Sequence, residues 1–174
     1  MELQQNHFEI FGLPVSYEVD RKALAARYRE LQQEFHPDRF AAKSEREQRL
    51  SMQYAAQINE ANNTLKDPVA RAAYLLKLAG VEINPEQTTA DGEFLMQQMI
   101  LRERLEEVRD AADPESELDA LNSESADLFN TQQRIFADAL TANALDEAKS
   151  ALLKLQFLAK LQRQIEQLEE DLLD

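Results

Sequence analysis

Only five prolines and three glycines interrupt 174 residues, about 5% of the chain against an average usage of about 12%, so few positions are available for turns. Long helices joined by short connections are the first expectation. The interruptions fall where apolar stripes of helical spacing begin or end. Asp20 is placed to cap a helix carrying Leu24, Tyr28, Leu31 and Phe35 on one face. Pro37 ends that helix, because its ring blocks the preceding turn and pushes the residue before it out of the helical region. Ser44 and Glu47 have capping-box spacing and open a second stripe, Leu50, Tyr54, Ile58, Ala61 and Leu65. Facing stripes across a connection of about eight residues predict an antiparallel hairpin. Asp67-Pro68 then starts a helix carrying Val69, Ala72, Ala73 and Leu76 that ends near Gly80, and a short helix around His7 to Phe11, closed by Gly12-Leu13-Pro14, precedes the hairpin.

At Gly80-Val81-Glu82-Ile83-Asn84-Pro85 a helix-ending glycine is followed by a proline that cannot continue a helix. The expected division is therefore residues 1–80, a linker over 81–90, and residues 91–174. The last segment reads as three helices. Phe94, Leu101, Leu105, Val108 and Ala112 define the core face of the first, broken by Asp113-Pro114. Leu118, Leu121, Leu128, Ile135 and Ala139 define the second, and Leu158, Leu161, Ile165, Leu168 and Leu172 the third, with a turn near Thr141 to Asn143. The fold class is all-α, with a helix hairpin and short helices followed by a three-helix bundle.

Charge separates the same two segments. Residues 1–80 hold 11 basic and 11 acidic side chains, and residues 81–174 hold 8 basic and 22 acidic, so the net −14 belongs to the second segment. That balance opposes nucleic acid and anionic membrane as partners. No apolar run approaches the roughly 18 residues of a membrane span, and the first residues lack a secretory pattern, so a cytoplasmic protein is expected. With no cysteine, disulfides, cysteine-held iron-sulfur clusters and cysteine zinc sites are excluded. No metal site and no cofactor are expected. An enzyme would have to draw on His36, Asp38 and scattered glutamates, with no glycine-rich phosphate loop and no nucleophile beside a second histidine. His7 has no nearby partners for a ligand set and reads as a helix-end or surface residue.

His36-Pro37-Asp38 lies in the hairpin connection, after a helix with Lys22 and Arg29 seven apart, and is followed by Arg39 and Phe40. A proline between two polar side chains fixes one backbone angle and holds its neighbours ready for hydrogen bonding at little ordering cost. Residues 21–49 carry eight basic and five acidic side chains, a local excess within an acidic chain. The layout resembles a J-domain: a short helix, Tyr28 and Leu31 before the tripeptide, Ile58-Asn59-Glu60-Ala61 on the return, then Asp67-Pro68, Arg71 and Tyr74. Phe8-Glu9-Ile10-Phe11-Gly12-Leu13-Pro14, Phe40, Tyr74-Leu75-Leu76, Phe94-Leu95-Met96 and Leu101-Arg102-Glu103 narrow the resemblance to J-proteins of the HscB type, over nearly the whole chain. That resemblance implies a co-chaperone that recruits the iron-sulfur scaffold IscU to the DnaK-type chaperone HscA and stimulates its ATPase. It places chaperone contacts at His36, Pro37 and Asp38, with Lys22, Arg27, Arg29 and Arg39 as basic contacts for an acidic chaperone surface. A J-protein delivering another client to a general DnaK-type chaperone is the alternative. The free protein is expected to be a monomer.

The helix after the linker is too apolar for one core face. At about 100° per residue, Leu95, Met96, Met99 and Ile100 spread over about 140° away from Phe94 and Leu101, and Glu103 and Glu107 extend that side. An acid-rimmed apolar face suits an adaptable partner site, while burial against the first domain or a neighbouring helix is the plain structural use of it. The resemblance implies scaffold binding through Leu95, Met96, Met99, Ile100, Glu103 and Glu107, with Phe157 from the last helix. Ile100 departs from that pattern, which has an acidic residue there. The paired Cys-x-x-Cys motifs of some relatives are also absent.

Overall fold

The computed structural model describes residues 4–174 as seven α-helices. They are α1 (His7–Phe11), α2 (Arg21–Glu34), α3 (Glu45–Lys66), α4 (Pro68–Leu78), α5 (Gly92–Glu107), α6 (Pro114–Thr141) and α7 (Leu145–Leu173). Single 3₁₀ turns at Pro37–Phe40 and Val108–Asp110 are the other helical elements. Two compact units hold them, one extending to Leu78 and the other running Ala79–Asp174. None of the described helices is long and apolar enough to cross a membrane.

In the first unit every helix start has a side-chain acceptor for the amide groups that no carbonyl within the helix can reach. Asn6 accepts from the Glu9 amide at 2.9 Å, and its own amide donates to the Glu9 carboxylate at 2.7 Å. Asp20 accepts from the Lys22 and Ala23 amides at 3.0 and 3.1 Å, and Ser44 from that of Glu47 at 3.2 Å. Asp67 accepts from the Val69 amide at 3.2 Å, and Pro68 occupies the first helical position, where no N–H is needed. Removing the Asp20 cap with Asp20→Ala is expected to lower stability by about 1 kcal/mol in urea unfolding.

α1 ends at Gly12, whose φ of 64° returns amides to Phe8 and Glu9 carbonyls, a left-handed turn that costs glycine least. α2 and α3 form the antiparallel hairpin, and α1 and α4 pack on α3. Leu24, Leu31, Ile58, Ala61, Leu65, Ala72 and Leu76 are buried. Arg71 is buried beside them. Its guanidinium donates to the Leu65 carbonyl at 2.6 Å, near the end of α3, and lies 4.8 Å above the Tyr17 ring. Burial pushes its pKa down and that of Tyr17 up. His7 does more than end a helix: its ring stacks on Tyr74 at 4.2 Å and its amide donates to the Tyr74 hydroxyl. Burial lowers its pKa.

In the second unit Phe94, Leu101 and Val108 meet Leu118 and Leu121 of α6 and Leu158, Leu161, Ile165 and Leu168 of α7. Two expected core positions fail. Ile135 is 43% exposed while Phe136 is fully buried. Seven residues on a straight helix fall about 20° short of two turns, so over 28 residues the buried stripe drifts off a strict heptad count. Ala112 lies beyond α5, in an irregular stretch. Pro114 drives Asp113 out of helical geometry, and that carboxylate instead caps α6 through the Ser116 amide at 3.2 Å. α6 and α7 turn back on each other through Asn143, in a left-handed conformation at φ 56°.

Candidate functional site

The His36-Pro37-Asp38 segment is exposed, yet its backbone is closely held. His36 Nδ1 accepts from the Asp38 amide at 3.2 Å. The Arg39 amide donates to the His36 carbonyl at 3.0 Å, closing the 3₁₀ turn. Both flanks are pinned by α3. The Ser51 hydroxyl donates to the Phe35 carbonyl at 3.0 Å, the Phe35 ring meets Tyr54 edge-on at 5.2 Å, and the Gln48 amide donates to the Ala41 and Lys43 carbonyls. Farther along the hairpin, the Tyr28 hydroxyl donates to the Asn59 side chain. Because Nδ1 accepts the hydrogen bond from the Asp38 amide, a neutral His36 ring carries its proton on Nε2. The Asp38 side chain is 93% exposed, with Oδ2 at 3.6 Å from Nδ1.

Arg29, His36 and Arg39 line one open depression of about 480 Å³, together with Gln32 and Gln33. Lys22 and Arg27 do not line it. Lys22 is exposed in the first turn of α2, about 10 Å from Arg29 along the helix axis, and Arg27 is ion-paired with Glu30 at 3.1 Å. Behind the loop, Leu31, Phe35, Pro37, Ala55 and Ile58 line a smaller apolar hollow of about 280 Å³, with Gln32 at its edge. Sequence reading overlooked the two glutamines. Their placement on the outer side of α2, one turn before His36, was the available signal.

On α5 the apolar side chains outside the core stripe are exposed: Leu95 by 38%, Met96 by 60%, Met99 by 59% and Ile100 by 50%. The second unit's own core therefore does not cover them. Glu103 and Glu107 are exposed beside them. Phe157 reaches α5 from α7, half-buried, with its ring edge-on to Phe94 at 6.0 Å and the Arg102 guanidinium 5.3 Å above it. Asp91 caps α5 through the Glu93 and Phe94 amides and is bridged to Lys154 of α7 at 2.8 Å. Arg104 pairs with Glu124, joining α5 to α6.

The Lys154 contact, then the amide of Phe94, hold the Asp91 carboxyl below its ordinary value of 3.8. A folded-state pKa below the unfolded one stabilises the protein above the unfolded value, and that stability is lost as pH falls through the folded value. Asp91→Asn keeps a capping side chain and removes the charge. Its melting temperature is therefore expected to fall less than the parent's between about pH 5 and about pH 3.

Residues 6–74 match the DnaJ domain family and residues 90–166 match the HSCB C-terminal oligomerisation domain family. A co-chaperone protein HscB homolog of Photobacterium profundum is 47% identical over 170 residues, 97% of this chain and 99% of the relative. The structure of chaperone HscB from Vibrio cholerae superimposes with a TM-score of 0.89 at 43% identity, over 97% of this chain and 99% of that one. Human co-chaperone protein HscB gives a TM-score of 0.88 at 27% identity, over 97% of this chain and 84% of that one. With a held His-Pro-Asp turn in one unit, an exposed apolar helix face in the other and relatives matching over nearly its full length, the chain belongs to the HscB family of J-domain co-chaperones.

Proposed function

We propose that this protein delivers an IscU-type iron-sulfur scaffold to an HscA-type DnaK-family chaperone and stimulates that chaperone's ATPase, assisting the maturation of iron-sulfur proteins. The observation that carries the reading is the α5 face. Four large apolar side chains stand open to solvent beside two glutamates, in a chain whose other unit presents a J-domain tripeptide. A co-chaperone needs one surface for the chaperone and another for the client, and the charge of the two segments differs as two unlike partners would require.

In this reading His36, Pro37 and Asp38 meet the chaperone, with Arg29 and Arg39 beside them and Lys22 and Arg27 farther along α2. Leu95, Met96, Met99, Ile100, Glu103, Glu107 and Phe157 meet the scaffold. The protein acts as a monomer joining two partners, with residues 81–90 linking its domains. It works in the cytoplasm, uses no cofactor and performs no chemistry of its own.

Single-turnover ATPase of the HscA-type chaperone tests the proposal. Stimulation by this protein that rises further with IscU supports it. Stimulation indifferent to IscU favours delivery of a different client to a general DnaK-type chaperone. No stimulation in any combination would remove the J-protein role.

A further inference from the structure

Phe157 is the one member of the proposed scaffold surface that does not come from α5, so its ring needs a means of being set against that helix. A continuous series of contacts supplies one. The Asp91 carboxylate, at the start of α5, accepts from Lys154 Nζ at 2.8 Å. The same Nζ lies 5.5 Å from the centre of the Phe94 ring, Phe94 meets Phe157 edge-on at 6.0 Å with the ring planes 88° apart, and Arg102 lies over Phe157. Lys154 and Phe157 are three residues apart on α7 and so share a face. The Lys154 side chain is only 15% exposed, so its ammonium sits where cation–ring attraction is weakened less by water.

We propose that Lys154 is a positioning residue for the client surface: bridged to Asp91 and seated over Phe94, it fixes the ring against which Phe157 packs and so presets Phe157 for the scaffold. This rests on the reading of the α5 face as the scaffold site. The bridge ties the N-cap of α5, four residues before Leu95, to α7 one turn before Phe157. Without it, Phe94 keeps its burial but loses the contact that orients its ring, and the half-buried Phe157 gains rotational freedom that binding must then remove.

The test is the affinity of the full chain for the apo form of the IscU-type scaffold by titration calorimetry, with Lys154→Met, Lys154→Arg, Phe157→Ala and the Lys154→Met/Phe157→Ala pair. Lys154→Met is expected to weaken binding about fivefold, and Lys154→Arg, which retains both charge and ring contact, to stay within about twofold of the parent. In the Phe157→Ala background Lys154→Met should have almost no further effect, because the residue it acts through is gone. The ring resonances of Phe157 in the unbound protein should shift in Lys154→Met and return toward the parent's in Lys154→Arg. If Lys154→Met does not fold, Asp91→Asn breaks the same bridge from its exposed end, keeps a capping side chain and is expected to act in the same direction. Parental affinity in Lys154→Met, or an undiminished loss in the Phe157→Ala background, would overturn the inference. A parent protein that does not bind the scaffold would instead sink the scaffold reading, and this inference with it.

Discussion

His36→Gln is expected to return the chaperone's single-turnover ATPase to about its basal rate while leaving this protein folded. The histidine has two tasks in the structure. Its Nδ1 accepts from the Asp38 amide at 3.2 Å, which shapes the turn bearing the Asp38 carboxylate, and in the proposed reading its Nε2 proton is the group offered to the chaperone. Glutamine is one bond too long to place an acceptor at the Nδ1 position, so the substitution loosens Asp38 as well as removing the ring. Hydrogen bonds to charged groups contribute about 1.5 to 3 kcal/mol each, so losing a contact at both His36 and Asp38 lowers the productive complex by roughly a hundredfold or more. The folded protein is little affected, because the His36 side chain is 58% exposed and substitutions at such sites change stability by about 0.5 kcal/mol or less. Asp38→Asn is the matching control, expected to lose stimulation with His36 intact. A His36→Gln protein that keeps half the parent's stimulation would show the tripeptide to be only a turn.

The triple variant Leu95→Ala/Met99→Ala/Phe157→Ala is expected to bind the scaffold between about a hundredfold and a thousandfold more weakly than the parent. Burying a Leu, Met or Phe side chain at an interface contributes about 1.5 to 3 kcal/mol, against a few tenths for an exposed ion pair such as one made by Glu103. Each single change should therefore weaken binding about tenfold. Leu95 and Met99 are one turn apart and would meet the same region of a bound scaffold, which keeps the triple effect below the product of the three. Both are exposed, so their loss leaves the fold nearly unchanged; Phe157 is half-buried against the core, and thermal melts of each variant separate binding from stability. Salt adds a second contrast. If Arg29, Arg39 and their neighbours form the chaperone contact as proposed, raising ionic strength should weaken that complex far more than the scaffold complex. A triple variant binding like the parent would remove the α5 face from the client site.

Most helix starts were legible before the fold was known, for a local reason. Asp20, Ser44 and Asp113 each bond to amides two or three residues ahead, and such spacing is visible in the chain itself. Asp91 does the same for α5 and was passed over, because Gly92 follows it and the apolar run begins only at Phe94. The core stripe of α6 was read less well. Ile135 and Phe136 are adjacent apolar residues about 100° apart, and choosing between them requires knowing how far the stripe has drifted after five turns. Ser125 and Gln132 are buried on that same stripe, and hydropathy alone assigns both outward.

The chain's own order of residues is sufficient for the all-α class, for the helix breaks at its prolines and for a J-domain tripeptide in a hairpin turn, because each depends on contacts a few residues long. It also shows that α5 carries more apolar surface than one core face can use. Whether Leu95, Met96, Met99 and Ile100 are covered or open was a matter for the tertiary fold, since a helix has no record in its sequence of which neighbours arrive on which side. The same holds for Arg29, His36 and Arg39 converging on one depression while Arg27 turns to Glu30, and for Lys154 reaching Asp91 across 63 positions of sequence. Such contacts form only when packing of the whole unit brings distant helices together, and no local spacing announces them.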